Sequence, residues 1–311
     1  MQRKHIASGA ILIHLGAGVG NVVLATPLLT ALNQLGFEID VALAADYPET
    51  ADLLRPWSAV RAVITKDEIP SAKNYHYVLP AIPPFYWSRF AHCFCSVNNL
   101  LPRPSDGLFY ENEQTFYFSF ARTLGWRGAA PSTVLPIAPT ERMDVTKRTL
   151  VLAPGCKTGE MAKKRWPYFP ALAQAFGDVV VTGTADDLWD GQGTRLHFPA
   201  HVHNFAGRLS LRQTAEVIAA AGVFVGNDSG LSHIAAAVGS PTVMIFGPTS
   251  ERVLGSLSPN VRVVRRGLQC EPCWFDSRFR ACAGRIDCLA QVTVEAVVCA
   301  LAELGFRRNP S

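Results

Sequence analysis

Two groups of residues have the types and spacing to bind a charged, hydroxyl-rich ligand. The first is Asp228-Ser229-Gly230-Leu231-Ser232-His233, set between apolar runs over Val223–Gly226 and Pro241–Phe246. That order reads as strand, polar turn, helix, strand. Small polar residues at a helix start leave backbone N–H groups aimed at a ligand, with the positive end of the helix dipole behind them. An anion belongs there, and the carboxylate of Asp228 and the imidazole of His233 suit a diphosphate carrying a hydroxyl-rich group better than a bare phosphate. The second group is Lys163-Lys164-Arg165-Trp166-Pro167, which follows Ala153-Pro154-Gly155 at the end of an apolar run. Ligands of α/β folds bind at such strand ends. Lys164 and Arg165 are the cations placed to offset phosphate charge; the plainer alternative is a solvated face.

A third constellation lies near the start. Gly16 to Gly20 is a glycine-rich turn after an apolar run, and Asn21 follows it. Glycine lets backbone turn sharply and approach a ligand, so Gly18, Gly20 and Asn21 form a candidate substrate loop. Taken as a dinucleotide fingerprint it fails, because Asn21 stands where the third glycine belongs and neither Asp40 nor Asp46 is well placed for a ribose. Read from its position alone, Asn21 can cap the helix that follows.

The elements that must position these groups alternate along the chain. Strand Ala10–Leu15, helix Val22–Leu35 with a buried stripe of Leu24, Leu28, Leu32 and Leu35, cap Gly36 and strand Phe37–Ala44 open the pattern. Tyr77–Ala81 reads as a strand and Glu111–Leu124 as a helix closed by Gly125. Pro131–Thr146 has no period and reads as a linker. The pattern restarts with strand Thr149–Ala153, helix Phe169–Phe176, strand Val179–Thr182, and amphipathic helix Leu211–Ala221. Thr293–Leu304 is a final helix with Thr293 as its N-cap. These elements predict an α/β protein of two Rossmann-like domains facing across a cleft, residues 1–140 and 147–311. The last helix, 293–304, is free to pack back on the first domain.

The stretch Asp228, Ser229, Gly230, His233, then Ala236, Ala237, Gly239, Pro241, then Phe246, Gly247, Pro248 resembles the sugar-nucleotide motif of glycosyltransferase family nine, the heptosyltransferases and their relatives. Phe205 to Leu211 and the Lys164-Arg165-Trp166-Pro167 segment are similar to that family too. The resemblance implies a GT-B fold and a metal-independent, inverting transfer of a sugar, heptose first, from a nucleoside diphosphate to a hydroxyl such as that of a lipopolysaccharide core. It implies an acceptor side in residues 1–140 and a nucleotide side in 147–311, donor contacts at Lys164, Arg165, Asp228, Ser229, Gly230, Leu231 and His233, and no cofactor. It also exposes a departure: the family carries an aspartate, its presumed base, where this chain has Asn21, an amide that cannot take a proton at neutral pH. By the resemblance Asn21 either only caps its helix or also orients the acceptor hydroxyl, and a base would come from elsewhere, with His14, Asp46, Asp106 and Glu111 as unranked candidates. Two other readings therefore stand beside the transferase: a sugar-nucleotide-binding pseudoenzyme, and a sugar-nucleotide epimerase on the same fold.

Composition narrows the remainder. The chain has 311 residues, 49% hydrophobic and 17% charged, with a net charge of +4, which fits two well-buried domains. No basic run interleaved with aromatics suggests nucleic acid, while the mild positive charge allows contact with the anionic cytoplasmic face of a membrane. No run is long and apolar enough to span a bilayer, and the beginning reads as a core strand rather than a signal peptide, so a cytoplasmic protein is expected. Cys270, Cys273, Cys282 and Cys288 follow a C-x2-C-x8-C-x5-C pattern, read either as a structural zinc knot or as free thiols. Phe85, Tyr86, Trp87 and Phe90 form either an acceptor wall or core packing. Thr182-Gly183-Thr184 is a weak candidate for a base or ribose contact. His197, His201 and His203 lack neighbours for a metal set and read as solvated.

Overall fold

The computed structural model describes residues 9–16, 18–43, 47–65, 74–82, 112–141, 144–157, 159–274, 276–282 and 286–307. The chain divides into two compact units, residues 1–136 and 137–311. Both are built on parallel sheets.

In the first unit β1 (Ala10–Leu15) is flanked by β2 (Glu38–Leu43) and β4 (Tyr77–Ala81), with β3 (Ala62–Ile64) beyond β2. All the pairings are parallel, with Ile13 opposite Val41 and Leu79. Between β1 and β2 the single helix expected over Val22–Leu35 is two helices, α1 (Val19–Leu24) and α2 (Thr26–Gln34). Pro27 has no N–H to donate and crowds the turn before it, and the Thr26 hydroxyl bonds back to the Val23 carbonyl at 2.8 Å, so the run breaks at Ala25. Short helix α3 (Ala51–Leu54) follows β2. Helix α4 (Glu113–Thr123) buries Phe116, Tyr117 and Phe120 and packs along α2. Asn112 caps it, accepting from the Gln114 amide at 3.0 Å.

Among the described residues the second unit holds a sheet of six strands in the order β10-β9-β8-β5-β6-β7. They are β5 (Leu150–Ala153), β6 (Val179–Val181), β7 (His203–Asn204), β8 (Val223–Asn227), β9 (Thr242–Ile245) and β10 (Val261–Val264). Near-continuous valine, leucine and isoleucine in these strands is what a sheet covered on both faces requires. Helices α5 (Phe169–Gln174), α6 (Leu211–Ala220) and α7 (Gly230–Ala237) are the main crossovers, and α8 (Glu251–Leu254), α9 (Ser277–Ala281) and α10 (Asp287–Ala290) are short. Ser210 and Gln213 form a reciprocal capping box on α6. The final helix α11 (Val294–Glu303) is capped by Thr293 and puts Val297, Ala300 and Leu301 into the core of its own unit. Its apolar stripe is therefore used there.

Strand order reverses at β5, which has β6 on one side and β8 on the other. Crevices outside the carboxyl ends of strands at such a reversal are where open α/β sheets bind ligands. Pro154 follows β5 and Asp228 follows β8, so the candidate donor-side residues of this unit lie at that reversal.

Candidate functional site

Strand β8 ends in Asn227, a fully buried amide that joins three segments. Its Oδ1 accepts from the Trp166 backbone N–H at 2.9 Å, and its Nδ2 donates to the Pro154 carbonyl at 2.7 Å. Trp166 is itself fully buried, its indole N–H donating to the Val292 carbonyl at 2.9 Å. The turn after β5, the basic segment and the end of β8 are thus locked together. Asn227 was absent from the sequence-derived site, because an asparagine at a strand end looks like ordinary turn chemistry.

That lock sets Lys164 against Asp228. The ammonium donates to the Asp228 carboxylate at 2.9 Å and to the Asp228 carbonyl at 2.8 Å. Both side chains are buried, and the ammonium stands 5.5 Å from the centroid of the Trp274 ring, within cation–π range. Burial pushes the Asp228 carboxyl upward, but the Lys164 charge, the nearby His233 and the Lys164 hydrogen bond outweigh it and hold it below 3.8. Asp228 is ionised.

Asp228 and Ser229 lie before helix α7, which opens at Gly230 with Ser229 as its N-cap in extended backbone. The sequence had placed the helix start two residues earlier. Ser229 does not cap with its side chain: among the described residues its buried Oγ finds no hydrogen-bond partner. Leu231 follows inside the helix, and Ser232 turns inward to the Asn227 carbonyl at 2.5 Å. His233 is buried, and burial lowers it to about 4 despite the upward pull of Asp228. Its Nε2 lies 4.0 Å from the Asp228 carboxylate, too far for a hydrogen bond. Its Nδ1 also lacks a partner among the described residues. A neutral imidazole, a hydroxyl and helix N–H groups at one spot can take an anionic ligand by hydrogen bonding.

The three cations in a row go three separate ways. Lys163 donates to the Phe279 carbonyl at 3.2 Å and lies over the Phe279 ring. Arg165 turns inward: its guanidinium donates to the carbonyls of Asp186 (2.7 Å), Trp189 (3.1 Å) and Cys156 (3.2 Å), and to the Asp187 carboxylate (3.1 Å). With its side chain 3% exposed, Arg165 braces the loop through these four bonds, while its Nε has no hydrogen-bond partner among the described residues. A side chain ringed by carbonyls cannot be told from a ligand-facing one by its neighbours in sequence.

In the first unit the glycine-rich turn is shorter than expected. Gly18, in extended backbone, is the N-cap of α1, while Gly20 and Asn21 lie inside that helix. The capping role for Asn21 is therefore excluded. Its side chain instead donates to the Glu113 carboxylate at 2.8 Å, across 92 residues of sequence. Glu113 was not among the expected bases. His14 lies within β1, where burial lowers it to about 4. Asp40 is taken by Arg61, at 2.8 and 2.7 Å, and by the Tyr75 hydroxyl at 2.7 Å, so no ribose carboxylate stands there. Asp46, Asp106, Glu111 and the aromatic cluster Phe85, Tyr86, Trp87 and Phe90 lie outside the described residues.

The remaining candidates have structural duties. Thr182 faces the Thr214 hydroxyl at 3.4 Å, and Thr184 belongs to a capping box with Asp187. His201 Nε2 meets the Phe176 carbonyl at 3.0 Å, closing the end of α5, and His203 opens β7. The cysteine-rich loop is stitched to the Gly247-Pro248 turn by the Cys273 and Trp274 amides, which donate to the Pro248 carbonyl at 2.9 and 3.0 Å. That carries Trp274 to Lys164. Burial, with the neighbouring Glu271 and cysteines, pushes the Cys288 thiol up to about 12. Among the described residues no group of three or more histidine, cysteine, aspartate or glutamate side chains is arranged to hold a metal ion. Nor is any helix among them long and apolar enough to cross a membrane.

Residues 125–279 match the family described as glycosyltransferase family 9 (heptosyltransferase). The chain is 33% identical over 123 residues to lipooligosaccharide heptosyltransferase 2 of Haemophilus influenzae, covering 36% of this chain and 35% of that protein. It is 37% identical over 122 residues to lipopolysaccharide heptosyltransferase 2 of Escherichia coli, covering 36% and 34%. These matches span about a third of the length of the curated relatives. The fold is similar over nearly the whole chain to the structure of Escherichia coli ADP-heptose lps heptosyltransferase II, with a TM-score of 0.69 and 22% identity over 95% of this chain and 98% of that one. That likeness extends the GT-B architecture of two Rossmann-like units to both halves. The segment running through Lys164 and Asp228 is thus similar to glycosyltransferase family 9, and the fold of both halves to that of a heptosyltransferase structure.

Proposed function

We propose that this protein is a glycosyltransferase that moves a heptose from ADP-heptose to a hydroxyl of a lipopolysaccharide core, without a metal ion and with inversion at the anomeric carbon. The observation that carries the proposal is the Lys164–Asp228 pair, buried at the sheet's reversal point and directly before helix α7. A diphosphate seated on the Ser229-Gly230-Leu231 amides gains the helix dipole, and Lys164 offsets the charge that grows as the diphosphate leaves. Asp228, ionised and acceptor-only, receives hydrogen bonds from sugar hydroxyls. His233, neutral at physiological pH, donates or accepts a hydrogen bond without adding charge. In the reaction the acceptor oxygen forms a bond to the anomeric carbon as the sugar–phosphate bond breaks. The electron pair leaves with the nucleoside diphosphate. Pre-aimed N–H groups and an ammonium supply the stabilisation that a divalent ion gives elsewhere. The names of the related proteins support the donor and acceptor. A cytoplasmic location belongs to the same proposal.

The test is a thermal-shift panel of ADP-, UDP-, GDP- and dTDP-sugars with the purified chain. ADP-heptose is expected to raise the melting midpoint, and Asp228→Ala to abolish the rise. A panel in which no nucleotide sugar shifts the wild-type midpoint rejects the proposal.

A further inference from the structure

The acceptor hydroxyl must lose a proton, and the polar side chain in helix α1 of the acceptor-side unit, Asn21, cannot keep one. The carboxylate that can is in contact with it. Asn21 Nδ2 lies 2.8 Å from Glu113 Oε2. The amide turns its NH2 end to that carboxyl oxygen. Asn21 Oδ1 then lies on the other side of the amide, on a half-buried residue, while Glu113 is buried behind it.

The pair is held from both sides. Glu113 is the first residue of α4, whose start is fixed by the Asn112 cap and by Gln114, which accepts from the Thr133 hydroxyl at 2.8 Å. Helices α1 and α2 pack against α4, and the Thr26 hydroxyl accepts from the Val134 amide at 3.1 Å. A hydrogen bond that joins segments 92 residues apart, fixed at each end, presents the amide in one orientation.

We propose that Asn21 and Glu113 together form the proton-accepting device of the transfer reaction. Asn21 touches the acceptor hydroxyl, and Glu113 acts through it as the final resting place of the proton. As the acceptor O–H breaks, Asn21 Oδ1 takes that hydrogen and Nδ2 gives one of its own to Glu113 Oε2. The amide then passes through its imidic tautomer and is restored when Glu113 returns a proton to solvent by the reverse path. One O–H bond and the sugar–phosphate bond are broken, one carbon–oxygen bond is made, and one proton is stored on Glu113. The inference rests on the transferase proposal above and adds the missing base to it.

The experiment uses the full chain, ADP-heptose and a heptose-lacking lipopolysaccharide core, with ADP release followed across about pH 5 to 9. Glu113→Gln keeps a donor–acceptor pair with Asn21 but removes the charge, so its melting midpoint should hold. It is expected to lower kcat by about 100-fold or more, with little change in KM, and to flatten the acid limb of the pH profile. The exchange Asn21→Asp with Glu113→Gln moves the carboxylate to α1 and is expected to recover at least about tenfold of that loss and to restore the acid limb. A Glu113→Gln enzyme with near wild-type kcat overturns the inference, and so does a loss that the exchange does not recover, because that is the behaviour of a brace. Wild-type protein that binds no ADP-heptose overturns the transferase proposal as well. Donor binding with a fully active Glu113→Gln variant overturns this inference alone.

Discussion

Lys164 Nζ lies 2.9 Å from the Asp228 carboxylate and 2.8 Å from the same residue's carbonyl oxygen. One ammonium therefore satisfies two acceptors of the residue that precedes helix α7 and its cap. Removing the ammonium leaves a buried carboxylate uncompensated, which typically costs about 3–5 kcal/mol. Lys164→Met should show a loss of that order in urea unfolding and no thermal shift with ADP-heptose. Replacing both partners, Lys164→Met with Asp228→Leu, should return most of the stability, because a well-packed apolar pair does not carry the desolvation penalty. Donor binding should stay absent. A double variant as unstable as the single one would show that the pair is not the source of the loss.

Acid lability follows from two histidines. Burial lowers His233 from 6.5 to about 4, with Asp228 acting upward and Lys164 downward, and burial alone lowers His14 to about 4. In the folded chain these rings stay neutral while in the unfolded chain they take up protons near 6.5. Between about pH 6.5 and 4 the unfolded state thus holds more protons, and stability falls as pH falls. Asp228, held below 3.8, loses its contribution only at still lower pH, as it falls through its folded value. The expected cost is on the order of 2 kcal/mol per histidine between neutral pH and the low end of that window. His14→Gln should lessen the slope of unfolding free energy against pH in that window. An unchanged slope would assign the acid sensitivity elsewhere.

Much of this site was legible before the fold. Asp228, Ser229, Gly230 and His233 stand in one run between two apolar strands, so period and turn chemistry alone put them at a strand-to-helix junction. Strands Ala10–Leu15 and Tyr77–Ala81 and the Thr293 cap were likewise readable, since they depend on local pattern. What was hidden depends on pairing over long distances. Nothing near Arg165 in sequence foretells four acceptors from residues 156 and 186–189, and nothing near Asn21 foretells a carboxylate 92 residues on. Short strand β10 escaped for another reason: Val261–Val264 carries a charge at Arg262 and its edge is only half buried.

Gly155 is a site where one methyl group should be felt. A Cβ there would lie 2.0 to 2.4 Å from the Asp187 carboxyl atoms. Asp187 cannot simply swing away, because it holds Arg165 at 3.1 Å and the Thr184 amide at 2.7 Å. Gly155→Ala must therefore break that network or shift the backbone, at a cost of about 1–3 kcal/mol. Asp187→Ala should cost a similar amount, and combining it with Gly155→Ala should add little, because the obstruction is gone. Urea midpoints of the three variants decide it, and strictly additive losses would count against the clash.

Asn227 offers the sharpest test of the lock behind Lys164. Its amide accepts from the Trp166 N–H and donates to the Pro154 carbonyl, with no surface exposed to water. Asn227→Asp keeps the shape but replaces the donor by an acceptor, so a carboxylate would face the Pro154 carbonyl oxygen in a dry site. A carboxyl in that position holds its proton when folded and releases it when unfolded, which raises its folded pKa above the usual carboxylate value near 3.9. Its protonated form can donate to Pro154 again. The variant's stability deficit should accordingly be smallest at low pH and grow as pH rises through the raised folded value. This is opposite in sign to the histidine effect, so the comparison is of variant against wild type at each pH. The deficit at neutral pH should be about 2–4 kcal/mol, and donor affinity should fall with it, since Trp166 and the adjoining Lys164 lose their anchor. A deficit that is the same at pH 5 and pH 7.5 within about half a kcal/mol would mean that Asn227 does not bridge these strands through its side chain.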